Sequence, residues 1–255
     1  MTLVKYEVRD RVAEIALDHG PVNALTEPML DQLLASLRRA ADDPLIRAVI
    51  LRSDLPRRFC AGLDLGAVGR MANADLRALV EKLYVGIYDA QSRLGKPSIA
   101  AVNGTARGGG MTLAISCDLI VAARSATFGY PEIDVGLIPA IHYAHLPRIV
   151  GRYRAFDLLF TGRAFDAIEA ASLGLVSRVV DDAEVLDRTR ELAQQLAAKP
   201  EAVLAMGRAA FRRENDGAYR AAVARAVDNF CAVAATEQAR QGVSAFIEKR
   251  KPDWT

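Results

Sequence analysis

The segment 96–119, KPSIAAVNGTARGGGMTLAISCDL, constrains the fold more than any other part of the chain. Its apolar run at 98–102 is typical of a buried strand, and the apolar residues after the glycines are typical of a helix. Four glycines fall within seven positions between them: Gly104, Gly108, Gly109 and Gly110. Glycine lets other groups approach the main chain, and helix N-terminal amides are unpaired, so the segment predicts an anion site made of backbone groups. A tight turn with close strand–helix packing is the alternative interpretation.

Two common nucleotide-binding patterns do not fit these glycines. A Walker loop continues with Gly-Lys-Ser/Thr, but Met111 follows the triplet, and no lysine lies between Lys96 and Lys199. The dinucleotide fingerprint G-x-G-x-x-G is replaced by G-x-x-x-G-G-G. The sequence therefore predicts an anionic ligand group of another kind.

The composition is that of a globular protein with a substantial core. The chain has 255 residues, of which 51% are hydrophobic, and 33 basic against 31 acidic residues give a net charge of +2. This near balance does not favour a nucleic-acid partner. Three cysteines without paired spacing favour a reducing compartment. The N-terminus lacks an apolar signal-like region and no apolar run reaches 18 residues, so we expect a cytoplasmic location and no membrane partner.

Short apolar runs alternate with helical periodicities through the first part of the chain. Strands are predicted at 4–9, 12–17, 48–52, 98–102, 119–123 and 127–130. Helices are predicted at 27–41, with Thr26 as the N-cap, and at 76–93. After residue 147 nearly every segment has helical periodicity. We predict an α/β core over residues 1–195, containing the site, and a helical region over residues 196–255 that caps the site or mediates assembly.

Five stretches together resemble the crotonase superfamily, the enoyl-CoA hydratases and isomerases. They occur in that family's order and at its intervals: RFCAGLDL (58–65), AAVNGTARGGGMTLAISCDL (100–119), ATFGYPEIDVGLIP (126–139), FTGRAFDAIEAASLGLV (160–176) and FIEKRKPDW (246–254). The resemblance implies a crotonase-like spiral of β-β-α units with a helical C-terminal region. It also implies acyl-CoA ligands, with coenzyme A as part of the substrate. We expect no separate cofactor and no metal. Self-association as a homotrimer or a dimer of trimers is expected.

The resemblance assigns the reacting groups to two loops and one carboxylate. It implies that the backbone N–H groups of Leu63 and Gly109 hold the thioester oxygen, which becomes negatively charged when a proton beside the thioester is removed. Loss of one such donor typically costs about 3 kcal/mol of transition-state stabilisation. Glu132 occupies the position of a catalytic glutamate, and an apolar pocket would raise its pKa toward the working range.

Thr112 departs from the hydratase pattern. Hydratases of the family carry a second glutamate at this position, three residues after the middle glycine. With one carboxylate, the most direct reaction is a proton shuttle, so an enoyl-CoA isomerase is the leading hypothesis. A hydratase or hydratase-lyase with another acid–base group is the alternative, and Thr112, His142 and Tyr143 are candidates for that group or for the acyl pocket. A non-catalytic CoA-binding or assembly protein is the alternative of another class.

The resemblance also implies a set of residues around coenzyme A. They belong to the loop after Pro21, to the main chain around the first amide, and to cationic side chains near the phosphates. The candidates are Val22, Ala24, Leu25, Arg58, Ala61, Asp64, Leu65 and Lys249.

Overall fold

The computed structural model describes residues 1–254, which form an α/β fold. The strands in this range are β1 (Val4–Arg9), β2 (Val12–Leu17), β3 (Ala24–Leu25), β4 (Ala48–Ser53), β5 (Arg58–Cys60), β6 (Gly62–Leu63), β7 (Ser98–Val102), β8 (Thr105–Arg107), β9 (Leu119–Ala123), β10 (Thr127–Gly129), β11 (Phe165–Asp166) and β12 (Arg178–Val180).

The helices occur between the strands and dominate the C-terminal part. They are α1 (Glu27–Asp42), α2 (Leu65–Val68), α3 (Asn73–Glu81), α4 (Ile87–Arg93), α5 (Gly109–Ser116), α6 (Ala140–Val150), α7 (Arg152–Thr161), α8 (Ala167–Ser172), α9 (Val185–Ala197), α10 (Glu201–Asp216), α11 (Tyr219–Ala234) and α12 (Glu237–Ile247). A π-helical turn, Lys82–Gly86, joins α3 to α4, and 3-10 turns cover Pro131–Val135 and Asp182–Glu184.

The main sheet has six strands in the order β1-β2-β4-β7-β9-β12. The first two predicted strands, β1 and β2, pair antiparallel as a hairpin, and the other neighbours are parallel. β7 is buried along its whole length, which is typical of a parallel strand with both faces covered, and β2 is equally buried although it contains Glu14.

A four-stranded sheet, β11-β10-β8-β5, and the short parallel pair β3-β6 lie outside the main sheet. The chain repeatedly adds one strand to the main sheet, one strand to a smaller sheet and then a helix. β7, β8 and α5 form one such unit. The glycine segment, residues 108–110, therefore joins a strand of the four-stranded sheet to a helix. The predicted α/β architecture is confirmed.

A buried ion-pair cluster attaches α9 to the main sheet. Glu14 is 1% exposed, and its carboxylate accepts hydrogen bonds from Arg190 of α9 at 2.6 Å and from Arg52 of β4 at 2.9 Å. Burial alone would raise the pKa of Glu14, but the hydrogen bonds and charges of Arg190 and Arg52 lower it below its ordinary value. The charged side chain therefore sits in the strand without an unpaired buried charge.

The C-terminal helices pack on the α/β part through a continuous core. Val223 and Phe230 of α11 and Val243 of α12 are buried in the same apolar cluster as the strands of the main sheet. α11 contacts α6, α3 and the π-helical turn, and α12 contacts the 3-10 turn Pro131–Val135. The division at residue 195 remains a prediction.

Several sequence predictions need correction in detail. Thr26 is at the N-cap of α1, but its side chain makes no capping hydrogen bond, and its hydroxyl is buried without a partner. The helix predicted at 76–93 contains the π-helical turn. None of the helices in residues 1–254 combines the length and apolar character that a bilayer-crossing segment needs.

Candidate active site

A cavity of about 500 Å³ lies where the glycine segment meets the loop after β5. The loop after Pro21, β6 and the start of α2 line one side, and residues 107–109 line another. The remaining walls are formed by Leu83 and Tyr84 of the π-helical turn, by the 3-10 turn Pro131–Val135 and by Phe230. The cavity is concave and mainly apolar with a few polar groups, which is typical of a small-molecule site.

Two loops approach each other closely at the base of this cavity. Gly62 has φ +93°, and a Cβ placed on it would lie 3.0 Å from the Arg107 carbonyl oxygen and 3.1 Å from the Gly109 nitrogen. Only glycine permits both this conformation and this approach. The loop before Leu63 therefore contacts the first residue of α5 directly. Because Gly109 is that first residue, its N–H has no intrahelical acceptor.

Two backbone hydrogen bonds, one before and one after β6, hold the loop that contains Leu63. The Ala61 N–H donates to the Val22 carbonyl at 3.0 Å, and the Asp64 N–H donates to the Leu25 carbonyl at 3.0 Å. β6 pairs in parallel with β3, with Leu63 opposite Leu25. These bonds hold β6, and with it Leu63, beside α5, where the family resemblance predicts an oxyanion donor.

Gly108 brings the carboxyl group of Glu132 to the same place. Gly108 has φ +49° and ψ −116°, and a Cβ placed on it would lie 2.8 Å from Glu132 Oε1. The Gly108 N–H donates to the Gly129 carbonyl at 3.1 Å, which joins the glycine segment to the strand before Glu132. The missing side chain thus creates the space that the carboxylate occupies, directly beside Gly109.

Glu132 is held in an apolar environment. It lies in the 3-10 turn, where its carbonyl accepts a hydrogen bond from the Leu137 N–H at 2.9 Å, and its carboxyl group lines the cavity. Its Oε2 is buried and has no hydrogen-bond partner within residues 1–254. Burial raises the pKa of Glu132 to about 7. A carboxyl group with that pKa can both accept and return a proton near neutral pH.

Thr112 and His142 lie together outside the cavity lining. Thr112 Oγ1 is 3.3 Å from His142 Nε2, and both side chains are buried. Burial and the neighbouring His145 hold the pKa of His142 well below its ordinary value, so the imidazole is neutral at pH 7. Tyr143 stacks on Phe160 with ring centroids 5.5 Å apart and is also outside the lining.

Most of the residues predicted around coenzyme A line the cavity, but the predicted cations do not. Val22, Ala24, Ala61, Asp64 and Leu65 line it, and the Asp64 side chain caps α2 by accepting from the Ala67 N–H at 3.0 Å. Leu25 is fully buried and packs against Gly109 rather than facing the space. Arg58 and Lys249 are exposed and outside the lining.

Arg107 is the basic side chain that does line the cavity. Its guanidinium donates to the Ala106 carbonyl at 3.1 Å and to Thr127 Oγ1 at 3.0 Å. No carboxylate within residues 1–254 pairs with it. Arg107 was not among the predicted residues, although an arginine directly before the glycine triplet is a visible signal.

Asn23 and Tyr84 were also missed. Asn23 has φ +53° and is fully buried, and its Nδ2 donates to Ser53 Oγ at 2.8 Å and to the Phe59 carbonyl at 2.9 Å. It thereby holds the loop after Pro21 against β4 and β5. Tyr84 is part of an apolar helical pattern in the sequence, and in the structure it lies in the π-helical turn and lines the cavity.

Known proteins resemble this chain along nearly its whole length. The family model described as enoyl-CoA hydratase/isomerase matches residues 7–255. The chain is 36% identical over 233 residues to the 2,3-dehydroadipyl-CoA hydratase of Escherichia coli K12, covering 91% of this chain and 90% of that protein. It is 31% identical over 256 residues to a probable enoyl-CoA hydratase of Bacillus subtilis 168, covering 100% and 99%.

Solved structures share the whole fold. An enoyl-CoA hydratase/isomerase from Pseudoalteromonas atlantica T6c superposes with a TM-score of 0.88 at 31% identity, covering 100% of both chains. An enoyl-CoA hydratase from Mycobacterium avium subsp. paratuberculosis K-10 has a TM-score of 0.89 at 23% identity, covering 100% of this chain and 99% of that one. The resemblance found in the sequence is confirmed, and the chain belongs to the enoyl-CoA hydratase/isomerase, or crotonase, family.

Proposed function

We propose that the protein acts on acyl-CoA thioesters through an enolate, with the thioester oxygen held by the backbone N–H groups of Leu63 and Gly109. The observation that carries this proposal is the position of Glu132, whose carboxyl oxygen lies against Gly108, directly beside Gly109, in an apolar cavity. A proton acceptor and an unpaired helix N-terminal amide then face one thioester, and the amides stabilise the charge that proton removal creates.

The favoured reaction is a double-bond shift in an enoyl-CoA. Glu132 removes a proton from C2 of a 3-enoyl-CoA, the electron pair spreads onto the thioester oxygen, and the same carboxyl group returns the proton to C4. The position of Thr112 supports this choice, because its hydroxyl pairs with His142 and is not part of the cavity lining. Among the acids that line the cavity, Asp64 caps α2 and Asp134 is exposed. Neither takes the place of a second catalytic glutamate.

Hydration of a 2-enoyl-CoA is the second candidate. The curated relatives reported above are named as hydratases, which supports water addition at least as well as isomerisation. The neutral imidazole of His142 is a candidate second acid–base group, provided that a substrate or water reaches it past Thr112.

The two reactions are separated by incubating the protein with a 3-enoyl-CoA and, separately, with a 2-enoyl-CoA of the same chain length. Isomerisation gives a conjugated thioester of unchanged mass, whereas hydration adds one water. A 3-hydroxyacyl-CoA product formed rapidly from the 2-enoyl-CoA would replace the isomerase by the hydratase.

Glu132→Gln tests whether the protein is catalytic at all. We expect a rate loss of about a thousand-fold, because the amide cannot accept the proton. Glu191→Gln, an exposed change on α9, is the control and leaves the rate unaltered. If the wild type converts neither substrate faster than the Glu132→Gln variant does, the protein is a CoA-binding or assembly protein instead.

Three further expectations belong to this proposal. Self-association as a trimer or a dimer of trimers, a cytoplasmic location and the absence of a separate cofactor are predictions. The first is supported by an exposed apolar face on α7, discussed below.

A further inference from the structure

One peptide group joins Gly108 to Gly109, and it supplies both the Gly108 carbonyl and the Gly109 N–H. The Gly109 N–H is the proposed donor to the thioester oxygen, so a group that holds the Gly108 carbonyl also sets the direction of that donor. Gly108 has φ +49° and ψ −116°, and it has no side chain to restrain the backbone there. The orientation of this peptide therefore depends on the hydrogen bonds that its carbonyl accepts.

The Gly108 carbonyl has two hydrogen-bond partners. The Thr112 N–H donates to it at 3.2 Å, at the start of α5. The imidazole of His142 also forms a hydrogen bond with the Gly108 backbone, and this bond works against burial and the neighbouring His145, which together lower the pKa of His142. A partner that favours the protonated ring is an acceptor, so it is the carbonyl, and the Gly108 N–H is already donated to the Gly129 carbonyl. A carbonyl oxygen has two lone pairs and accommodates both donors.

The surroundings of His142 determine which ring nitrogen carries the proton. Nδ1 is buried and has no hydrogen-bond partner within residues 1–254. Nε2 lies 3.3 Å from Thr112 Oγ1, so Nε2 is on the side of the ring that faces α5 and the Gly108 carbonyl. Because a carbonyl only accepts hydrogen bonds, we assign the proton of the neutral ring to Nε2.

His142 is a donor held in place by packing, and it does not contact the active-site cavity. Its side chain is 1% exposed, and its ring centroid lies 4.5 Å from that of the fully buried Tyr130 ring. His142 is absent from the residues that line the cavity beside Glu132. A preorganised donor of this kind needs no rearrangement during a reaction, and here it acts through the Gly108 carbonyl rather than by touching a substrate.

We propose that His142 is a positioning residue of the oxyanion site, whose Nε2–H orients and polarises the peptide between Gly108 and Gly109 so that the Gly109 N–H donates more strongly to the thioester oxygen. A hydrogen bond accepted by a peptide carbonyl draws electron density from the nitrogen of the same peptide, and hydrogen-bonded groups in series strengthen one another in this way. The gain is largest when the oxygen becomes negative. This inference deepens the proposed function and rests on it for the identity of the bound group.

The test measures the polarisation of a bound thioester carbonyl, which requires no turnover. A saturated acyl-CoA labelled with ¹³C at its thioester carbon is bound to the full-length protein, and isotope-difference infrared spectroscopy gives its carbonyl stretching frequency. Donors at the oxygen lower this frequency relative to the free thioester. We expect His142→Phe, which fills the space of the ring without a donor, to lose about a quarter of this downshift, as the strengthening by one hydrogen bond in series predicts. His142→Gln has an amide N–H of similar reach and should restore most of the downshift.

Kinetics give the second readout. In His142→Phe we expect kcat to fall about ten-fold with KM nearly unchanged, less than the loss of about a hundred-fold or more that follows removal of an oxyanion donor itself. His145→Phe is the matched control, because it replaces the same kind of ring one turn further along α6, and in the described part of the chain His145 makes no hydrogen bond to the glycine segment. It should keep the full downshift and the wild-type kcat.

An unchanged downshift in His142→Phe overturns the inference even where kcat falls, because a merely structural or an acid–base role of His142 would leave the bound carbonyl unaltered. If His142→Phe does not fold, His142→Leu, which is smaller and also lacks a donor, gives the same comparison. The enolate proposal fails separately, when the wild type shows the downshift and converts neither unsaturated thioester. A wild type without any downshift overturns both, since the amides then do not hold the thioester oxygen.

Discussion

The apolar environment of Glu132 has two consequences. It raises the pKa of the carboxyl group into the range needed for proton transfer, and it makes the charged form of the group destabilise the folded state. Its Oε2 lacks a hydrogen-bond partner and its pKa is raised to about 7 by burial. Both the reaction rate and the free energy of unfolding should therefore depend on pH through this one group.

The rate prediction follows from the need for an ionised carboxylate as the base. The kcat/KM of the isomerisation should rise as pH increases and level off above a midpoint near pH 7, because the pKa of Glu132 in the free protein lies there. Initial rates at constant ionic strength between pH 5 and pH 9 measure this midpoint. A midpoint near pH 4.5 would mean that the carboxyl group is solvated as in an open chain.

The free energy of unfolding should fall as pH rises, whereas the reaction rate should increase. The pKa of Glu132 is higher in the folded state than its ordinary value of 4.5, so the folded state binds more protons between pH 4.5 and pH 7. This contribution to stability is fully present below pH 4.5 and is lost as pH rises through 7. Glu132→Gln should therefore be more stable than the wild type at pH 8, by about 2 kcal/mol. The full pKa shift would give a larger difference, but the side chain is only partly buried and solvent screens its charge.

Urea unfolding at pH 4 and pH 8 measures that difference. The variant and the wild type should have equal unfolding free energies at pH 4. A variant that is less stable than the wild type at pH 8 would show that the carboxylate makes a stabilising contact, contrary to its unpartnered oxygen.

Sequence alone locates Glu132 but not its neighbours in space. The carboxylate stands in a segment whose pattern is recognisable, whereas Asn23 acts through two hydrogen bonds to residues 30 and 36 positions away. Glu14 illustrates the same limit, because its partner Arg190 is 176 residues distant and the strand pattern alone would place an apolar side chain there. Contacts of this kind depend on tertiary packing, so the local periodicity of the sequence does not predict them.

At the scale of elements, the glycine segment connects a strand to a helix, and its backbone conformation shapes the cavity. Gly108 lies outside the regions that other residues adopt readily, and the carboxyl group of Glu132 occupies the space of its missing side chain. The conformation of one residue thus determines the position of the base.

Gly108→Ala should separate activity from stability. The added Cβ would approach Glu132 Oε1 to 2.8 Å and push the carboxylate away, so we expect kcat/KM to fall about a hundred-fold. The strained backbone should lower the free energy of unfolding by about 1–3 kcal/mol. Enzyme kinetics and chemical denaturation on the same preparation measure both.

Gly207→Ala is the matched control for this change. Gly207 lies in α10, and a Cβ placed on it meets no atom within 4 Å. The control should keep full activity and gain slightly in stability through its helix propensity. Full activity in Gly108→Ala would show that Glu132 adjusts without cost and that the cavity does not depend on this glycine.

The strands and helices themselves were largely predictable. Short, mainly apolar runs predicted β2 and β7, and helical periodicity predicted α1, close to their observed bounds, because these signals are local. The π-helical turn was not predictable, since the sequence 82–86 continues the same helical periodicity on both sides. Its consequence, the placement of Tyr84 in the wall of the cavity, could be seen only in three dimensions.

At the scale of the whole molecule, α7 presents an exposed aromatic face. On α7, Tyr153, Phe156 and Phe160 are 88%, 60% and 44% exposed and recur at helical spacing. Phe156 and Phe160 stack with centroids 4.2 Å apart. Contiguous exposed aromatic surface of this kind is typical of an interface.

Phe156→Glu should weaken self-association. A carboxylate at the centre of an apolar interface is left desolvated and unpaired, so the assembly should dissociate to smaller species at micromolar concentration. Sedimentation velocity at several protein concentrations measures the change. Gln195→Glu on the exposed face of α9 adds the same charge and should leave the assembly intact. A wild-type protein that is monomeric at every concentration would refute the predicted trimer.

The charge-stabilising groups proposed at Leu63 and Gly109 belong to the peptide bond rather than to any side chain. Mutational scanning would therefore pass over position 63 without detecting it, because leucine, alanine and serine all present the same N–H. Evolution can change that side chain to reshape the acyl space while the electrostatic support of the reaction stays constant. Removing the donor itself takes a change of the main chain, such as replacement of the amide by an ester through a hydroxy acid at position 63.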